Sequence, residues 1–422
     1  MDFSKLTSQQ KKSFLEVIKR KEKGEYIGDI TLGTAKTLDE ANKRENKFWA
    51  TQPVMKLNEF VVKDGPIKEV DQIFVQQEEY KTPDNYKWQK FDLNVEEDLD
   101  KVTKFIQKHY IEDDASKFRL HYTKQFIKWA ISEQCYCLGI VATENGRLGG
   151  FISSRLCNLQ VNDKVLPCGE VNFLCVHSNL RVKGISELLI KELNRRLNLQ
   201  NVYQGYFTSE RYVPKPFTSV KIFHRPLNYK KLLDLEFIAE DKKGKIKNIL
   251  TFYAVNEKME SQFVKMEKEH MVDAHRILTE YMEKFNFHHI YTFEEFEYCF
   301  TNSDYMRSYV VIEDGQVVDF ASYYKLQSEV IDVNLKQKYK FINAGYLYIY
   351  TSQKTTSFSI VKNLLIAAKN EGIDVFNASN VMENENILQE LKFKEGSGVL
   401  HHYLYNWKVP DMKPSQICAV TL

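Results

Sequence analysis

Apolar residues recur at helical spacing in two stretches of the first third of the chain. Within 97–110 they lie three or four positions apart, which puts them on one face of a helix. These positions are Leu99, Val102, Phe105 and Ile106. The same spacing continues through 126–131, so two helices are predicted before the first sheet.

A strand pattern follows at 135–156, where Val, Ile, Phe and Cys surround the dipeptide Asn145-Gly146. An Asn-Gly pair between two apolar runs is a strong signal for a β-hairpin. A third strand is predicted at 170–177, and a helix at about 184–197. The predicted order of elements in this half is therefore α-α-β-β-β-α.

The same order returns in the second half of the chain. The hairpin ENGRLGGFIS at 144–153 aligns with EDGQVVDFAS at 313–322, and the helical LLI at 188–190 aligns with LLI at 364–366. Helical patterns at 275–285 and 294–300 also precede the second hairpin. Two matches in the same order predict an internal duplication and an α/β fold of two related halves.

Composition limits the class of protein. The 422 residues are 43% hydrophobic and 27% charged, which is ordinary for a globular chain of two or three packed units. A net charge of +2 without a basic block argues against nucleic-acid binding. Seven cysteines, an odd number without zinc or disulfide spacing, indicate a reducing compartment. The pair Cys135 and Cys137 is interpreted as structural.

The N-terminal 45 residues are rich in Lys and Glu and lack the apolar core of a signal peptide or membrane anchor. We therefore expect a partly mobile arm at 1–45, a cytoplasmic location and no integral membrane association. Two halves are expected at 46–215 and 216–422.

A candidate anion site lies at the predicted turn between the third strand and the helix of the first half. The turn reads RVKGIS at 181–186, and the N-terminus of a helix binds phosphate well through free backbone N–H groups. For these six residues alone, an ordinary helix start with a solvated basic turn is the preferred interpretation. The turn resembles the coenzyme A loop of GNAT-type acetyltransferases. In the second half, YLYIY at 346–350 leads into a turn without glycine, so only one phosphate site is expected.

Longer motifs resemble one family. EVNFLCVHSNLRVKGISELLIKEL at 170–193 and KFKEGSGVLHHYLYNWK at 392–408 closely resemble signatures of the protein N-myristoyltransferases, as do KFWATQPVMKL at 47–57 and GIDVFNA at 372–378. The resemblance implies two fused GNAT-like halves with pseudo-twofold symmetry and a mixed β-sheet flanked by helices. It also implies a monomeric acyltransferase that moves myristoyl from myristoyl-CoA to an N-terminal glycine amine, without a metal.

The resemblance implies roles for individual residues. Phe173 and Leu174 would supply backbone N–H groups to the thioester oxyanion, Thr208 would contact the amine, and the carboxylate of Leu422 would be the base. The first half would bind the coenzyme through Lys47, Phe48, Trp49, Phe173, Leu174, Cys175, Val176, Arg181, Val182, Lys183, Gly184, Ile185 and Ser186. The second half would bind the peptide, with the C-terminal residues returning to the site. The peptide contacts would be Tyr110, Ile111, Glu112, Asp113, Phe118, Tyr122, Asn172, Thr208, His224 and Tyr348.

The chain also departs from the family pattern. Val182 and Gly184 replace a serine and an arginine of the phosphate turn, while Glu210 and Ser397 replace a glycine and an aspartate, which puts coenzyme affinity and peptide preference in doubt.

Expected partners are proteins that begin Met-Gly-x-x-x-Ser/Thr once Met is removed, with ribosomes as a further candidate. Two alternatives stay open: a GNAT-type enzyme with a short acyl donor, and a silent acyl-CoA or peptide-binding module. Covalent catalysis by Cys175 and a metal pair at His401-His402 are interpreted as the weaker hypotheses.

Overall fold

The computed structural model describes residues 35, 37–43, 47–110, 117–131, 134–181, 183–238, 246–256 and 258–421. Several sequence predictions fall outside these residues. They are most of the N-terminal arm, the predicted peptide contacts Ile111, Glu112 and Asp113, Val182 of the predicted phosphate turn, and Leu422.

Twelve α-helices are found in the described part of the chain. Their bounds are α1 Leu38–Asn42, α2 Lys47–Thr51, α3 Glu96–His109, α4 Lys124–Ile131, α5 Ile185–Asn198, α6 Tyr229–Asp234, α7 Ile246–Phe252, α8 Met271–Met282, α9 Phe293–Phe300, α10 Val333–Lys336, α11 Ser357–Asn370 and α12 Glu385–Leu388. Acidic residues open α3 and basic residues close it, as the helix dipole favours.

Seventeen strands are found in the same part of the chain. They are β1 Gly65–Pro66, β2 Tyr86–Lys90, β3 Phe118–His121, β4 Cys135–Ala142, β5 Leu148–Val161, β6 Lys164–Val176, β7 Gln204–Ser209, β8 Thr218–Pro226, β9 Phe263–Lys265, β10 Phe287–Ile290, β11 Met306–Glu313, β12 Gln316–Val330, β13 Phe341–Tyr350, β14 Val375–Ser379, β15 Lys394–Tyr405, β16 Trp407–Lys408 and β17 Ile417–Cys418. All except β1 and β16 join one mixed sheet of 15 strands.

The two halves repeat the same series of elements. The series β2, α3, β3, α4, β4, β5, β6, α5, β7 and β8 is followed by β9, α8, β10, α9, β11, β12, β13, α11, β14 and β15. In each half a hairpin leads through a helix into a parallel strand pair, β6 with β7 and β13 with β14. The predicted fold of two related α/β halves around a mixed sheet is confirmed.

The halves exchange strands, which the sequence did not predict. β8 of the first half pairs with β14 of the second, while β15 of the second pairs with β7 of the first. β3 likewise pairs with β12, and β10 pairs with β5. Each exchange has its counterpart under the same approximate twofold relation. The halves therefore share one continuous sheet and one main apolar core.

Most predicted elements were confirmed, with corrections at their edges. The first hairpin turns at Gly146, whose φ of 65° lies in the left-handed region that glycine tolerates. The third strand begins at Lys164 rather than Glu170, because the hairpin partner β5 is long enough to pair with all of it. The short strands β2 and β3 were missed. No helix among the described residues is long and apolar enough to span a membrane.

Candidate active site

The parallel strands β6 and β7 separate near the middle of the sheet. Their pairing covers Cys168–Glu170 and Gln204–Tyr206 only. Phe173 on β6 and Thr208 on β7 therefore lie beyond the last pair, one on each side of the division. Backbone groups on diverging strands lack a sheet partner, so this division is a place where a ligand can bind.

A β-bulge marks the β6 side of the division. Ser153 pairs with Asn172 and Phe151 pairs with Cys175, so Phe173 and Leu174 together oppose a single residue of β5. Phe173 has a φ of 52°, which is an uncommon conformation for a bulky side chain. Such backbone strain concentrates at functional sites. The bulge coincides with the two residues that the resemblance assigned to the oxyanion.

Aromatic rings cover the bulge. The Phe173 ring lies 5.6 Å from the Tyr110 ring and 5.3 Å from the Tyr122 ring, measured between centroids. Burial raises the pKa of the Tyr110 phenol far above its usual value, and a backbone hydrogen bond from Phe173 acts against that shift. The site residues Tyr110 and Tyr122 thus lie against the bulge, in surroundings that exclude water.

The end of the chain returns to β7. β17 joins the sheet beside β10, and residues 417–419 are fully buried. Two residues further on, the Thr421 hydroxyl lies 3.2 Å from the Thr208 hydroxyl. Thr421 therefore lies on the β7 side of the division, opposite the bulge.

The predicted phosphate turn begins α5. Gly184 is the N-cap, with a φ of 70°, and Ile185 packs inward against Gly150. The Arg181 guanidinium donates hydrogen bonds to the backbone carbonyls of His109 and Val176. Arg181 therefore connects the turn to α3 and β6.

The equivalent turn of the second half already holds an anion, the Asp319 carboxylate. Its Oδ1 accepts from the backbone N–H of Gln353 at 2.7 Å, and its Oδ2 accepts from Lys354 and Thr355 at 3.0 and 2.6 Å. Asp319 is completely buried. Its counterpart in the first hairpin is Gly150, where a Cβ would lie 2.9 Å from side chains of α5 and no carboxylate fits. The expectation of a single phosphate site thus gains a physical reason.

The predicted coenzyme residues at 47–49 lie near the division. The Trp49 ring stacks on Phe207 of β7 at 5.4 Å, and the Lys191 ammonium of α5 lies 5.8 Å from the Phe48 ring. The structure thus brings α2 against both β7 and the helix that follows the phosphate turn. Lys183 and Ser186 lie at the start of that helix, and Leu174 and Val176 pack beneath it.

The peptide residues His224 and Tyr348 are connected through side chains that the sequence analysis missed. The His224 Nδ1 lies 2.7 Å from the Asn377 Oδ1, and Asn377 also bonds to Tyr346. Tyr346 stacks on Tyr324 at 4.8 Å, which in turn lies 5.8 Å from Tyr348. The tyrosine-rich run at 346–350 and the asparagine of the VFNA motif are the sequence features that could have indicated these side chains.

Not every predicted site residue joins this group. Phe118 packs against Phe237 and the small apolar cluster around Leu232.

The two weaker chemical hypotheses gain no support. Burial raises the pKa of the Cys175 thiol to about 12, and His177 lies outside the strand as the N-cap of a short 3-10 helix, which argues against a thiolate nucleophile there. The two adjacent histidines point to different partners, His401 to Ser219 and His402 to Tyr206.

A buried ionic network lies below the division, at its last strand pair. The Glu170 Oε2 accepts from the Arg155 Nε at 3.0 Å and lies 3.2 Å from the His289 Nε2. Burial alone would raise the pKa of Glu170, but Arg155 and His289 hold it well below its usual range. Burial likewise opposes the charge on His289, yet Glu170 raises the pKa of that imidazole to about 9. Cys157, Glu170 and His289 place one ligand-type atom each within 4.8 Å of one another.

The stability of the protein should reveal this network through its pH dependence. The raised pKa of His289 gives stability that is complete below pH 6.5 and is lost as the pH rises through about 9. A hydrogen bond from Cys168, together with His289, lowers the pKa of Cys157 to about 6, and this stability is lost as the pH falls through about 6. Between these values the two pH dependences cancel, because the folded and unfolded states bind equal numbers of protons and the free energy of unfolding does not change with pH.

Cys157→Ser removes one of the two opposing contributions. Urea unfolding of the wild type should therefore give a nearly constant free energy between pH 6.5 and 9, whereas the variant should lose on the order of 2 to 3 kcal/mol across that range. Cys418→Ser is the matched control: burial raises the pKa of that thiol, so its profile between pH 6.5 and 9 should stay as flat as that of the wild type. A variant profile as flat as that of the wild type would contradict an imidazolium at His289.

Comparison with known proteins gives the same family over most of the chain. Residues 66–220 match the N-terminal domain, and residues 234–420 the C-terminal domain, of the family described as myristoyl-CoA:protein N-myristoyltransferase. The glycylpeptide N-tetradecanoyltransferase of Plasmodium falciparum is 33% identical over 415 residues, which cover 95% of this chain and 99% of that protein. Glycylpeptide N-tetradecanoyltransferase 2 of Danio rerio is 34% identical and covers 92% of this chain, with 80% of its own length matched.

The fold comparison adds a structure with a ligand. The crystal structure of Saccharomyces cerevisiae N-myristoyltransferase with bound myristoyl-CoA is similar with a TM-score of 0.85 and 30% sequence identity. The match covers 90% of this chain and all of the yeast chain.

Proposed function

Since this chain belongs to the myristoyl-CoA:protein N-myristoyltransferase family, we propose that it transfers myristoyl from myristoyl-CoA to the N-terminal glycine amine of substrate proteins. The observation that carries this proposal is the likeness to the yeast enzyme with bound myristoyl-CoA, which extends over 90% of the chain and both halves of the sheet. The bulge at Phe173 supplies a chemical basis for the same reaction.

Coenzyme binding is assigned to the first half. The pyrophosphate would bind the backbone at the start of α5, since the N-terminal N–H groups of a helix attract anions. Lys183, Gly184, Ile185 and Ser186 contribute mainly through this backbone, and Arg181 positions the turn. The stacking of Trp49 on Phe207 and the approach of Lys191 to Phe48 support a role for α2 in covering the coenzyme. One coenzyme per chain is expected, because Asp319 fills the other turn.

The thioester would react at the bulge. The amine nitrogen attacks the carbonyl carbon, negative charge develops on the carbonyl oxygen, and the carbon–sulfur bond then breaks. Backbone N–H groups of Phe173 and Leu174 would stabilise that charge, the Phe173 N–H exchanging its hydrogen bond to the Tyr110 phenol for one to the thioester oxygen. Removal of one such donor typically costs 10² to 10³ in rate. Coenzyme A leaves as the thiolate and takes up the proton that the amine has lost.

A base must accept the amine proton first. We assign this role to the terminal carboxylate of Leu422, with Thr208 as a hydrogen-bond partner of the amine. The contact between Thr421 and Thr208 supports the assignment, because it brings the preceding residue to β7. Burial of the approach at 417–419 would raise the pKa of a nearby carboxylate towards that of the amine.

The peptide would lie on the second half, between the bulge and the tyrosine group. The proposed peptide site would be lined by Asn172, Tyr122, His224 and Tyr348. Asn377, Tyr324 and Tyr346 connect His224 with Tyr348. Ile111, Glu112, Asp113 and Phe118 stay proposed contacts from the family resemblance alone. Substrates are expected to begin Gly-x-x-x-Ser/Thr after Met removal, and ribosomes stay a candidate partner. The seven free cysteines support a reducing, cytoplasmic location, and a monomer is proposed from the family resemblance alone. The division into 46–215 and 216–422 stays a proposal from the sequence; the repeated series of elements instead groups β8, Thr218–Pro226, with the first half.

A donor series tests the function. Initial rates with one Gly-x-x-x-Ser peptide and acyl-CoA donors of two, eight, twelve, fourteen and sixteen carbons should peak at fourteen. Burial of about 12 methylenes at roughly 0.8 kcal/mol each gives about 10 kcal/mol of gross recognition, so a pocket of fixed length should discriminate sharply. A peptide beginning with Ala serves as the control. Equal rates with acetyl-CoA would favour a short-chain acyltransferase, and no turnover with any donor would favour a silent binding module.

A further inference from the structure

Two free thiols face each other across a strand pair outside the proposed active site. Cys157 of β5 is directly opposite Cys168 of β6. Directly opposed residues of antiparallel strands have Cα atoms about 4.5 or 5.5 Å apart, and both separations fall within the range of a disulfide. The Cys168 thiol is close enough to lower the pKa of Cys157 through a hydrogen bond. Cys157 is partly exposed and Cys168 is buried, so an oxidant can reach the first more easily than the second.

Charged groups surround Cys157 on the same face of the sheet. The nearest are His289 and Glu170, which with the Cys157 Sγ lie within 4.8 Å of one another. A metal ion is not expected there, because the Arg155 guanidinium already binds Glu170 and lies 3.4 Å from the His289 Nε2. The His289 imidazolium favours a thiolate at Cys157, against the opposing effect of the Glu170 carboxylate.

From this geometry we propose that Cys157 is a hydroperoxide-reactive thiol and that Cys168 resolves it into an intrachain disulfide. The inference does not depend on acyl transfer. A sensor cysteine of this kind is accessible, electropositive in its surroundings and adjacent to a second thiol. All three conditions meet at the Cys157–Cys168 pair.

The chemistry balances with a hydroperoxide as the oxidant. The Cys157 thiolate attacks the outer peroxide oxygen, the O–O bond breaks, and the departing alkoxide or hydroxide takes a proton from His289. Cys157 is then a sulfenic acid. The Cys168 sulfur attacks the Cys157 sulfur, an S–S bond forms, and the hydroxyl leaves as water with the Cys168 proton. Two thiols lose two electrons, and the peroxide is reduced to an alcohol or water.

The other cysteines provide internal comparisons. Cys135 and Cys137 have their sulfur atoms 3.6 Å apart, but their charged neighbours are Lys90 and Asp92, whose effects oppose each other. Burial raises the pKa of Cys175, Cys299 and Cys418. The neighbouring imidazolium is therefore what distinguishes Cys157 from the remaining thiols.

Mass spectrometry of the full chain tests the site. The reduced protein is treated with equimolar hydrogen peroxide at pH 7, blocked with N-ethylmaleimide and digested without reductant. The expected product is a peptide pair joined through Cys157 and Cys168 that disappears after dithiothreitol. Cys168→Ser should instead accumulate sulfenic acid at Cys157, trapped as a dimedone adduct. A disulfide that forms first at Cys135–Cys137, or oxidation spread evenly over the thiols, would overturn the proposal.

The role of His289 is tested by rate. His289→Gln should slow disulfide formation at pH 7 at least tenfold, whereas Cys135→Ser should leave it unchanged. A second measurement needs no variant: iodoacetamide should alkylate Cys157 of the wild type at nearly the same rate at pH 7 and pH 8. An ordinary thiol would react about eightfold faster at pH 8. An eightfold increase at Cys157, or an unchanged rate of disulfide formation in folded His289→Gln, would also overturn the proposal.

Discussion

Glu170→Gln is expected to lower the free energy of unfolding by about 3 to 5 kcal/mol. The Glu170 side chain is only 4% exposed and pairs with both Arg155 and His289. Glutamine keeps nearly the same shape but removes this negative charge, which leaves the Arg155 guanidinium buried and unpaired and His289 with only the Cys157 thiolate nearby. Removal of one partner of a buried ion pair costs far more than the pair contributes, because the remaining charge has lost its hydration. Urea unfolding at pH 7 measures the difference.

Glu371→Gln is the matched control for that experiment. Glu371 accepts two hydrogen bonds of 2.7 Å from Arg307, but these side chains are 21% and 18% exposed, so the loss should be nearer 1 kcal/mol. Adding Arg155→Met to Glu170→Gln should restore part of the lost stability, because it removes the unpaired guanidinium. Equal losses for Glu170→Gln and Glu371→Gln would mean that the buried network is hydrated and contributes no more than a surface pair.

The repeat could be predicted because its signals are local. Turn residues at 145–146 and 314–315 fix two hairpins, and the helical spacing after each strand identifies α5 and α11. The strand exchange could not be predicted in this way. β3 is four residues long and pairs with β12 more than 200 positions away, and nothing in FRLH states which half it joins. Such pairings depend on long-range packing, which periodicity does not encode.

The same distinction between local and long-range signals applies to the candidate site. The phosphate turn followed from residue types in sequence, whereas the bulge at Phe173 came only through the family resemblance, since a positive φ at phenylalanine has no sequence signature. Arg155, Glu170 and His289 lie on three strands with no motif spacing. Asp319 carried a usable signal, a single carboxylate within an apolar strand, because such a group must find donors when buried.

Deleting Leu422 is expected to abolish most catalysis while myristoyl-CoA still binds. The truncated chain retains a carboxylate, but at Thr421, about 3.3 Å from its former position, which exceeds the tolerance of a hydrogen bond. Thr421 already contacts Thr208, so the new carboxylate would lie beside β7. A positioned base contributes about 10² to 10⁴ in rate, which corresponds to about 3 to 5 kcal/mol of transition-state stabilisation. Single-turnover kinetics with preformed acyl-CoA complex measures this loss separately from coenzyme binding.

Leu422→Met is the matched control, because it keeps the terminal carboxylate at the same position along the chain and retains an apolar side chain. Its single-turnover rate should stay within about threefold of the wild type, or about 0.7 kcal/mol. Adding a C-terminal tag removes the carboxylate altogether and should match the deletion, whereas an N-terminal tag should be tolerated. If the deletion and the C-terminal tag also stay within threefold, the carboxylate is not the base. His224 would then be the next candidate, because burial lowers the pKa of its imidazole and keeps it neutral and able to accept a proton near pH 7.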